Sequence, residues 1–523
     1  MQSKTNVLTA EDMALMQREI SVSEFFAKNR HLLGFDNPQK ALLMAVKEAC
    51  DNSLDACEEA RILPELYIEI KQLGEDRFIV SVEDNGPGIV RDAIPNIFGK
   101  LLYGSKFHAM KQTRGQQGIG ISSAALYGQL TTGKPIKIIS KTRKDKPAHY
   151  FEIHIDTNKN RPEIIKDEVV SWKKEHGTRV EIELEGKFYR GKHSIDNYLR
   201  QTAISNPHVK ITYQPPDTEE LVVYKRSVQE LPVEPLSIKP HPHGIELGML
   251  ISMAKNSSSG YLKRFLQTDF SRVSTKIAEE IARRANIDSK KKLSSITRDD
   301  FDALYRAINL TKIMNPATNC LSQIGEEGIL KGLKAVIEAD FYSAVSRSPA
   351  VYRGNPFIIE AGIAYGGKQP LEEPAELLRF ANRAPLLYQQ SGCAITEAVI
   401  NTSWRNYNLA QPKDAMPIGP LTILVHMASI WVPFTSESKE SIAHYPEIIK
   451  EVKLALQECG RKVGLHIRKK IRQADETKKR SYIERYIPQI VIGLKEILNL
   501  KEKETNKTTK NLYVILEKTR RRY

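Results

Sequence analysis

The stretch from Lys47 to Ala56, KEACDNSLDA, puts Glu48, Asp51, Asn52 and Asp55 on one face when it is read as a helix. Leu42, Leu43, Val46, Ala49, Cys50, Ser53 and Leu54 supply the packed side. Three carboxylates stacked on one stripe repel one another, so helix stability alone gives no reason for them. A cation lying against the stripe, or a water to be activated, gives one. A solvated acidic helix face has the same pattern, and the chain downstream has to decide between them.

The segment RFIVSVE (77–83) alternates like a half-buried strand and runs into Asp84-Asn85-Gly86-Pro87-Gly88. Such a sequence can be a turn and nothing more. This one ends a strand expected beneath the acidic helix, and it sets a carboxylate beside two glycines, where a flat ligand can approach the backbone. Asp84 can then accept a hydrogen bond from the exocyclic amine of a base. Farther on, Tyr103-Gly104-Ser105-Lys106 precedes Arg114-Gly115-Gln116-Gln117-Gly118-Ile119-Gly120-Ile121-Ser122 and an apolar helical run. Free backbone N–H groups at a helix N-terminus suit phosphate oxygens. The loop matches neither the dinucleotide fingerprint nor the Walker pattern, and by itself it also reads as a surface loop. His176-Gly177-Thr178 opens a further strand.

The elements that must position these residues follow from periodicity. A helix is expected over about 39–60, and a hairpin from 66–71 and 77–83. Further strands are expected at 136–140, 149–155 and 178–184. The proline-rich 226–240 marks a boundary, and helical patterns with basic residues fill about 245–310. After Pro316 the pattern is mixed: a helix carrying Phe341 and Tyr342, strand-like runs at 356–367, 377–387 and 421–434, and a helical ITEAVINTSW between the last two. A long helix should begin near Ser441 and continue to about 480, with an apolar stripe beyond it that Pro488 kinks. Residues 501–511 read as a flexible link and LYVIL (512–516) as a short strand.

Composition narrows the class. With 523 residues, three or four domains are expected. A net charge of +15 favours a polyanionic partner, nucleic acid first. The five scattered cysteines contain no CxxC pair, which points away from a zinc site or disulfide framework and towards a reducing cytoplasm. No apolar run reaches the length of about 18 residues that a membrane span needs, so no membrane association is expected.

Four ordered boxes resemble those of the GHKL ATPase superfamily, to which gyrase, MutL and histidine-kinase ATP domains belong: Glu48-x-x-x-Asn52, Asp84-x-Gly86-x-Gly88, Gly115-x-x-Gly118-x-Gly120 and His176-Gly177-Thr178. TRGQQGIG, KPHPHG, NPFIIEAGIAYGG, LLRFANRAPLL and SKESIA, in order, are similar to the B-subunit family of DNA topoisomerase VI, a type IIB topoisomerase. The resemblance covers nearly the whole chain. It implies an α+β multidomain fold: a GHKL (Bergerat) α/β sandwich over 1–230 with an N-terminal arm, and a helix-two turns-helix insert over 231–313. A βαβ-type transducer with its stalk helix would follow over 314–480, then a segment over 481–523 that docks the topoisomerase VI A subunit.

The resemblance also implies roles. Glu48 would be the general base, Asn52 the Mg²⁺ ligand, and Asp84 the acceptor of the adenine amine, with Thr178 helping through water. Gly86, Gly88, Ser105, Lys106 and the lid Gly115, Gln116, Gln117, Gly118, Ile119, Gly120, Ile121 and Ser122 would enclose ATP. Ser122 stands where related lids can carry lysine. Lys439, in SESKESIA, aligns with the transducer lysine that reaches the γ-phosphate. Trp404, Arg405 and Tyr407 resemble a DNA-contacting loop, with Arg405 where lysine is typical; an aromatic pair packed in the core has the same signature. Asp51 and Asp55 carry no expected chemistry beyond supporting the helix. The implied activity is that of an ATP-hydrolysing type II DNA topoisomerase. It would dimerise on ATP, form an A2B2 heterotetramer with the A subunit, and pass one duplex through another, relaxing supercoils and decatenating double-stranded DNA. The implied location is the cytoplasm, on the nucleoid. The alternative is a nucleotide-gated DNA clamp or scaffold, MutL-like or meiotic in type, without topoisomerase activity.

Overall fold

The computed structural model describes residues 9–17, 19–106, 110–115, 118–436 and 438–518. Two short helices, α1 (Ala10–Leu15) and α2 (Val22–Lys28), precede α3 (Pro38–Glu59). The Asn37 side chain accepts from the backbone N–H of Lys40 at 2.9 Å, and Pro38 fits the first helical position, so the start of α3 is fixed locally. β1 (Glu65–Gln72), β2 (Arg77–Asp84), α4 (Ile94–Gly99) and α5 (Gly120–Thr132) follow. Next come β3 (Ile136–Lys141), β4 (Ala148–Asp156), β5 (Arg161–Val170), β6 (Gly177–Glu185), α6 (Ile195–Ser205), β7 (Lys210–Gln214) and β8 (Val222–Tyr224). The eight strands form one sheet in the order β5-β4-β3-β6-β2-β1-β7-β8, antiparallel throughout except for β1 with β7. α3 and α5 cover one face of it, and Leu42, Leu43, Val46, Cys50 and Leu54 of α3 are buried there. Both ligand-facing turns, after β2 and before β6, therefore emerge side by side at one edge of α3.

Helices α7 (Leu247–Asn256), α8 (Leu262–Asp269), α9 (Thr275–Arg284) and α10 (Arg298–Leu310) close on their own apolar core of Leu250, Phe265, Ile281 and Leu304. A second α/β unit follows with α11 (Glu326–Val336), β9 (Phe341–Ser346), β10 (Ala350–Tyr352), β11 (Asn355–Tyr365), β12 (Glu376–Ala381), β13 (Ala384–Pro385), α12 (Ala394–Ile400) and β14 (Leu421–Ser429). Its sheet runs β10-β11-β14-β12-β13 with β9 also on β11, and β12 with β14 is the one parallel pairing in it. α13 (Pro446–Leu498) packs on β9 and β11 and projects away, and α14 (Glu502–Lys518) folds back on it. The two sheets meet where α11 lies on α6, in a core of Ile204, Ile329, Leu333, Phe380 and Leu424. No helix of the described residues is long and apolar enough to cross a membrane.

Several expectations are corrected. Phe341 and Tyr342 lie in β9, not in a helix, because they pair with β11. Residues 502–516 are helical, since α14 has α13 to lie against, so neither a link nor a strand forms there. α13 begins at Pro446, after the loop that holds Lys439, and stays one assigned helix through Pro488. β5 is an exposed edge strand whose charges hide any alternation, so periodicity does not predict it.

Trp404 is fully buried in the second unit, and its indole Nε1 donates to the Val399 carbonyl at 2.8 Å. Trp404→Ala should lower unfolding stability of this unit by about 3–5 kcal/mol, read as a drop in its denaturant midpoint.

Candidate active site

A cavity of about 570 Å³ opens between α3, the end of β2, the start of β6 and the glycine loop before α5. Glu48, Asn52 and Ser53 reach it from α3, Asp84 and Thr178 from the sheet, and Gly88 from the turn after β2. Ser105, Lys106, Gly115, Gly118, Ile119, Gly120 and Ile121 close the other side, with Lys439 from the second unit. Gln116 and Gln117 lie outside the described residues. Apolar walls that sequence reasoning missed come from Met44, Ile89, Ile97, Phe98 and Val180. Their signal is ordinary core periodicity, which does not separate a core face from a cavity wall.

The closed end of the cavity is built around Asp84. Its Oδ1 accepts from the N–H groups of Gly86 at 2.8 Å and Thr178 at 3.0 Å, and its Oδ2 from the Ser53 hydroxyl at 2.8 Å. Burial pushes its carboxyl pKa up, and these three donors act against that rise. A carboxylate has about four acceptor sites, so capacity is left for one donor inside the cavity. Gly177 has φ +131°, and a side chain there would put its Cβ 2.2 Å from the Asp84 carbonyl oxygen. The fourth box therefore needs glycine for β6 to start beside the end of β2. The hydroxyls of Thr178 and Ser140 are 3.0 Å apart. Gly86 stays off the cavity and contributes its N–H to Asp84.

The acidic stripe of α3 divides into two kinds of residue. Glu48 and Asn52 face the cavity, while Asp51 and Asp55 are spent on structure. Asp51 accepts from Lys47 Nζ at 2.8 Å and the Tyr198 hydroxyl at 3.3 Å. Asp55 accepts from Lys106 Nζ and from Arg114, both at 2.8 Å. Burial pushes the Glu48 carboxyl up, but Lys47 and then Lys439 outweigh it and hold it below the usual range. Lys439 has φ +54°, and its Nζ donates to the Arg114 carbonyl at 3.0 Å. Burial pushes its ammonium pKa down, opposed by Glu48.

Gly120 begins α5 hard against Glu48: a Cβ there would lie 1.9 Å from Glu48 Oε2. Ser122 turns away from the cavity; it is buried and its hydroxyl donates to the Ile119 carbonyl at 3.2 Å. Ser123 lines the cavity instead. The expectation for Ser122 is corrected to that extent, because the helical start at Gly120 swings residue 122 inward. The expected DNA-contact trio is also separated. Trp404 is a core side chain with no face to offer DNA, and Tyr407 packs its ring over Gly460 of α13. Arg405 alone of the three is exposed, with its Nε donating to the Gln411 carbonyl at 2.8 Å.

Arg114, at the root of the loop, was not singled out by sequence. Its buried guanidinium binds Asp55 at 2.8 Å, Glu58 at 2.6 and 3.0 Å, and Asn206 at 2.6 Å. Burial pushes the Asp55 and Glu58 carboxyls up. Lys106 and Arg114 on Asp55, and Arg114, His208 and Arg383 on Glu58, outweigh that and hold both below the usual range. Their stabilising contribution is thus complete above their unfolded values of about 4 and fades as pH falls through the folded values. Arg114→Met should cost about 3–5 kcal/mol at neutral pH by leaving buried carboxylates uncompensated. The gap from the parent should close as denaturation is repeated below about pH 4.

Residues 37–187 match the family model for the histidine kinase-, DNA gyrase B-, and HSP90-like ATPase, and residues 316–479 match that for the topoisomerase VI B subunit transducer. The B subunit of type 2 DNA topoisomerase 6 from Methanococcoides burtonii is 49% identical over 490 residues, covering 94% of this chain and 79% of that protein. The protein of the same name from Archaeoglobus fulgidus is 48% identical over 487 residues, covering 93% of this chain and 80% of that one. Identity at that level extends over both sheets and the helical unit between them, and the chain belongs to the B-subunit family of type 2 DNA topoisomerase 6.

Proposed function

We propose that this chain is the ATP-binding and ATP-hydrolysing subunit of a type II DNA topoisomerase. One observation carries the reading. Lys439, from the loop before α13, lines the same cavity as Glu48 and the glycine loop, so a nucleotide bound there would touch both sheet units at once.

In this reading Glu48 takes the proton of the attacking water as its oxygen bonds to the γ-phosphorus. The bond to the bridging oxygen breaks, giving ADP and phosphate. Asp84 accepts from the adenine amine, with Thr178 assisting through water. Gly88, Ser105, Lys106 and the loop Gly115–Ile121 hold sugar and phosphates, Gly86 acting through Asp84. Lys439, a point charge on a flexible stem, binds the γ-phosphate and registers its loss. Mg²⁺ fits at Asn52, whose carboxamide faces the cavity beside Gly115 and has no hydrogen-bond partner among the described residues. One protein ligand suits an ion that keeps its waters and takes phosphate oxygens, and it would neutralise charge on those oxygens.

The working assembly in this proposal is an A2B2 tetramer: ATP brings two copies together through the N-terminal arm, the A subunit cuts and rejoins duplex DNA, and Arg405 contacts phosphate. The proposed division is 1–230, 231–313, 314–480 and 481–523, the last boundary lying within α13. The cytoplasm, on the nucleoid, is the proposed location.

Relaxation of supercoiled plasmid should require ATP, this chain and a candidate A subunit together; DNA binding without relaxation would favour a clamp instead. Glu48→Ala should retain nucleotide binding and dimerisation while turnover falls at least about 100-fold, and normal turnover would remove Glu48 from the role of base. Lys439→Ala should reduce both hydrolysis and strand passage, and undiminished strand passage would sink the sensor assignment.

A further inference from the structure

Lys47 is buried on α3 and is not among the cavity-lining residues. Its ammonium nitrogen lies 2.8 Å from Asp51 Oδ2 and 3.4 Å from Glu48 Oε1. The pair with Asp51, one helical turn on, already neutralises a buried lysine. The second contact, to the adjacent residue, is one that helix geometry does not supply, since neighbours in sequence point about a quarter-turn apart. The lysine is itself held. Asp51 is anchored by the Tyr198 hydroxyl from α6 at 3.3 Å, and the same hydroxyl lies 3.5 Å from the Lys47 carbonyl oxygen. The other Glu48 oxygen, Oε2, faces the start of α5, where any side chain on Gly120 would collide with it.

We propose that Lys47 is a positioning residue for the hydrolytic reaction: braced by Asp51 and Tyr198, it pins Glu48 Oε1 from behind and leaves Oε2 turned to the lid end of the cavity. The inference rests on the reading of Glu48 as base. Lys439, the other cation acting on Glu48, comes from a loop of the second unit and donates to the Arg114 carbonyl at 3.0 Å. It is engaged with the lid and, in the proposed mechanism, with phosphate. Lys47 lies in the same helix as Glu48, so it orients the carboxylate whatever the transducer loop is doing. A misplaced base costs rate far more than it costs affinity, because a shift of about 1 Å can lower turnover about 100-fold.

The test removes the lysine without stranding Asp51 as an unpaired buried charge, and Glu48 keeps Lys439. Lys47→Met combined with Asp51→Asn deletes the ion pair, and the new carboxamide still accepts from Tyr198. ATP turnover and the Kd for a fluorescent non-hydrolysable ATP analogue are measured on the full chain. The expected result is a kcat lower by about 10- to 100-fold with Kd within about twofold of the parent. Turnover within twofold of the parent overturns the proposal, as does loss of nucleotide affinity in step with turnover, which would mark Lys47 as structural support only. Lys47→Gln, which keeps a donor but no charge, gives a second reading if the double variant does not fold; it should show the same split between kcat and Kd. Glu48→Ala is run alongside. Normal turnover there would remove the base reading itself, whereas lost turnover there with parental turnover in the lysine variants would remove only the role of Lys47.

Discussion

Everything around the cavity depends on neutralising the carboxylates that α3 carries inside the protein. Glu48, Asp51, Asp55 and Glu58 sit on a helix whose other side is core, and each has a side chain at most partly exposed. An unpaired buried charge costs several kcal/mol, so each must draw a cation. Asp51 uses Lys47 from its own helix. Glu48 shares Lys47 and adds Lys439 from the second unit, while Asp55 and Glu58 recruit Lys106 and Arg114 from the segments flanking the lid and Arg383 from the second unit, with His208 from beyond α6 hydrogen-bonded to Glu58. The helix that bears the proposed base and metal ligand is therefore also where three parts of the chain are fastened together.

The same fastening ties the lid to the second sheet. Gln112 exchanges side-chain hydrogen bonds with Ser322 backbone groups at 3.0 and 2.7 Å, and Asn382 donates to the Thr113 carbonyl at 2.9 Å. Arg383 bonds Ser322 Oγ at 2.7 Å while its other nitrogen lies 3.5 Å from Glu58. Behind it, the buried His426 donates its Nδ1–H to Glu360 at 2.8 Å, and its Nε2 accepts from the Arg383 N–H at 3.0 Å. Lid root, helix α3 and the β12–β13 turn thus form one polar network in an otherwise apolar junction. In the proposed mechanism, a nucleotide bound against the lid would lie next to this network.

Local rules read well wherever local physics was decisive. Helix α3, the alternating strands β1, β2, β3, β4 and β6, and the glycines of the last three boxes were all legible because burial on one face or a backbone constraint dictates the residue type at each position. Reading failed where a partner distant in sequence made the choice. Phe341 and Tyr342 became a strand through pairing with β11, and residues 502–516 became a helix through α13.

The sequence by itself determined which stretches build the site, through the resemblance of its four ordered boxes to those of the GHKL ATPases. It also set Glu48 and Asn52 apart from the packed side of α3. Only the tertiary structure decided which carboxylates remain available to a ligand. Asp51 and Asp55 have the same helical phase as Glu48 and Asn52 and differ only in what reaches them: Tyr198 and Lys47 in one case, Arg114 and Lys106 in the other. Helical phase is a property of a single element, whereas the pairing of buried charge is settled by every element that packs against it.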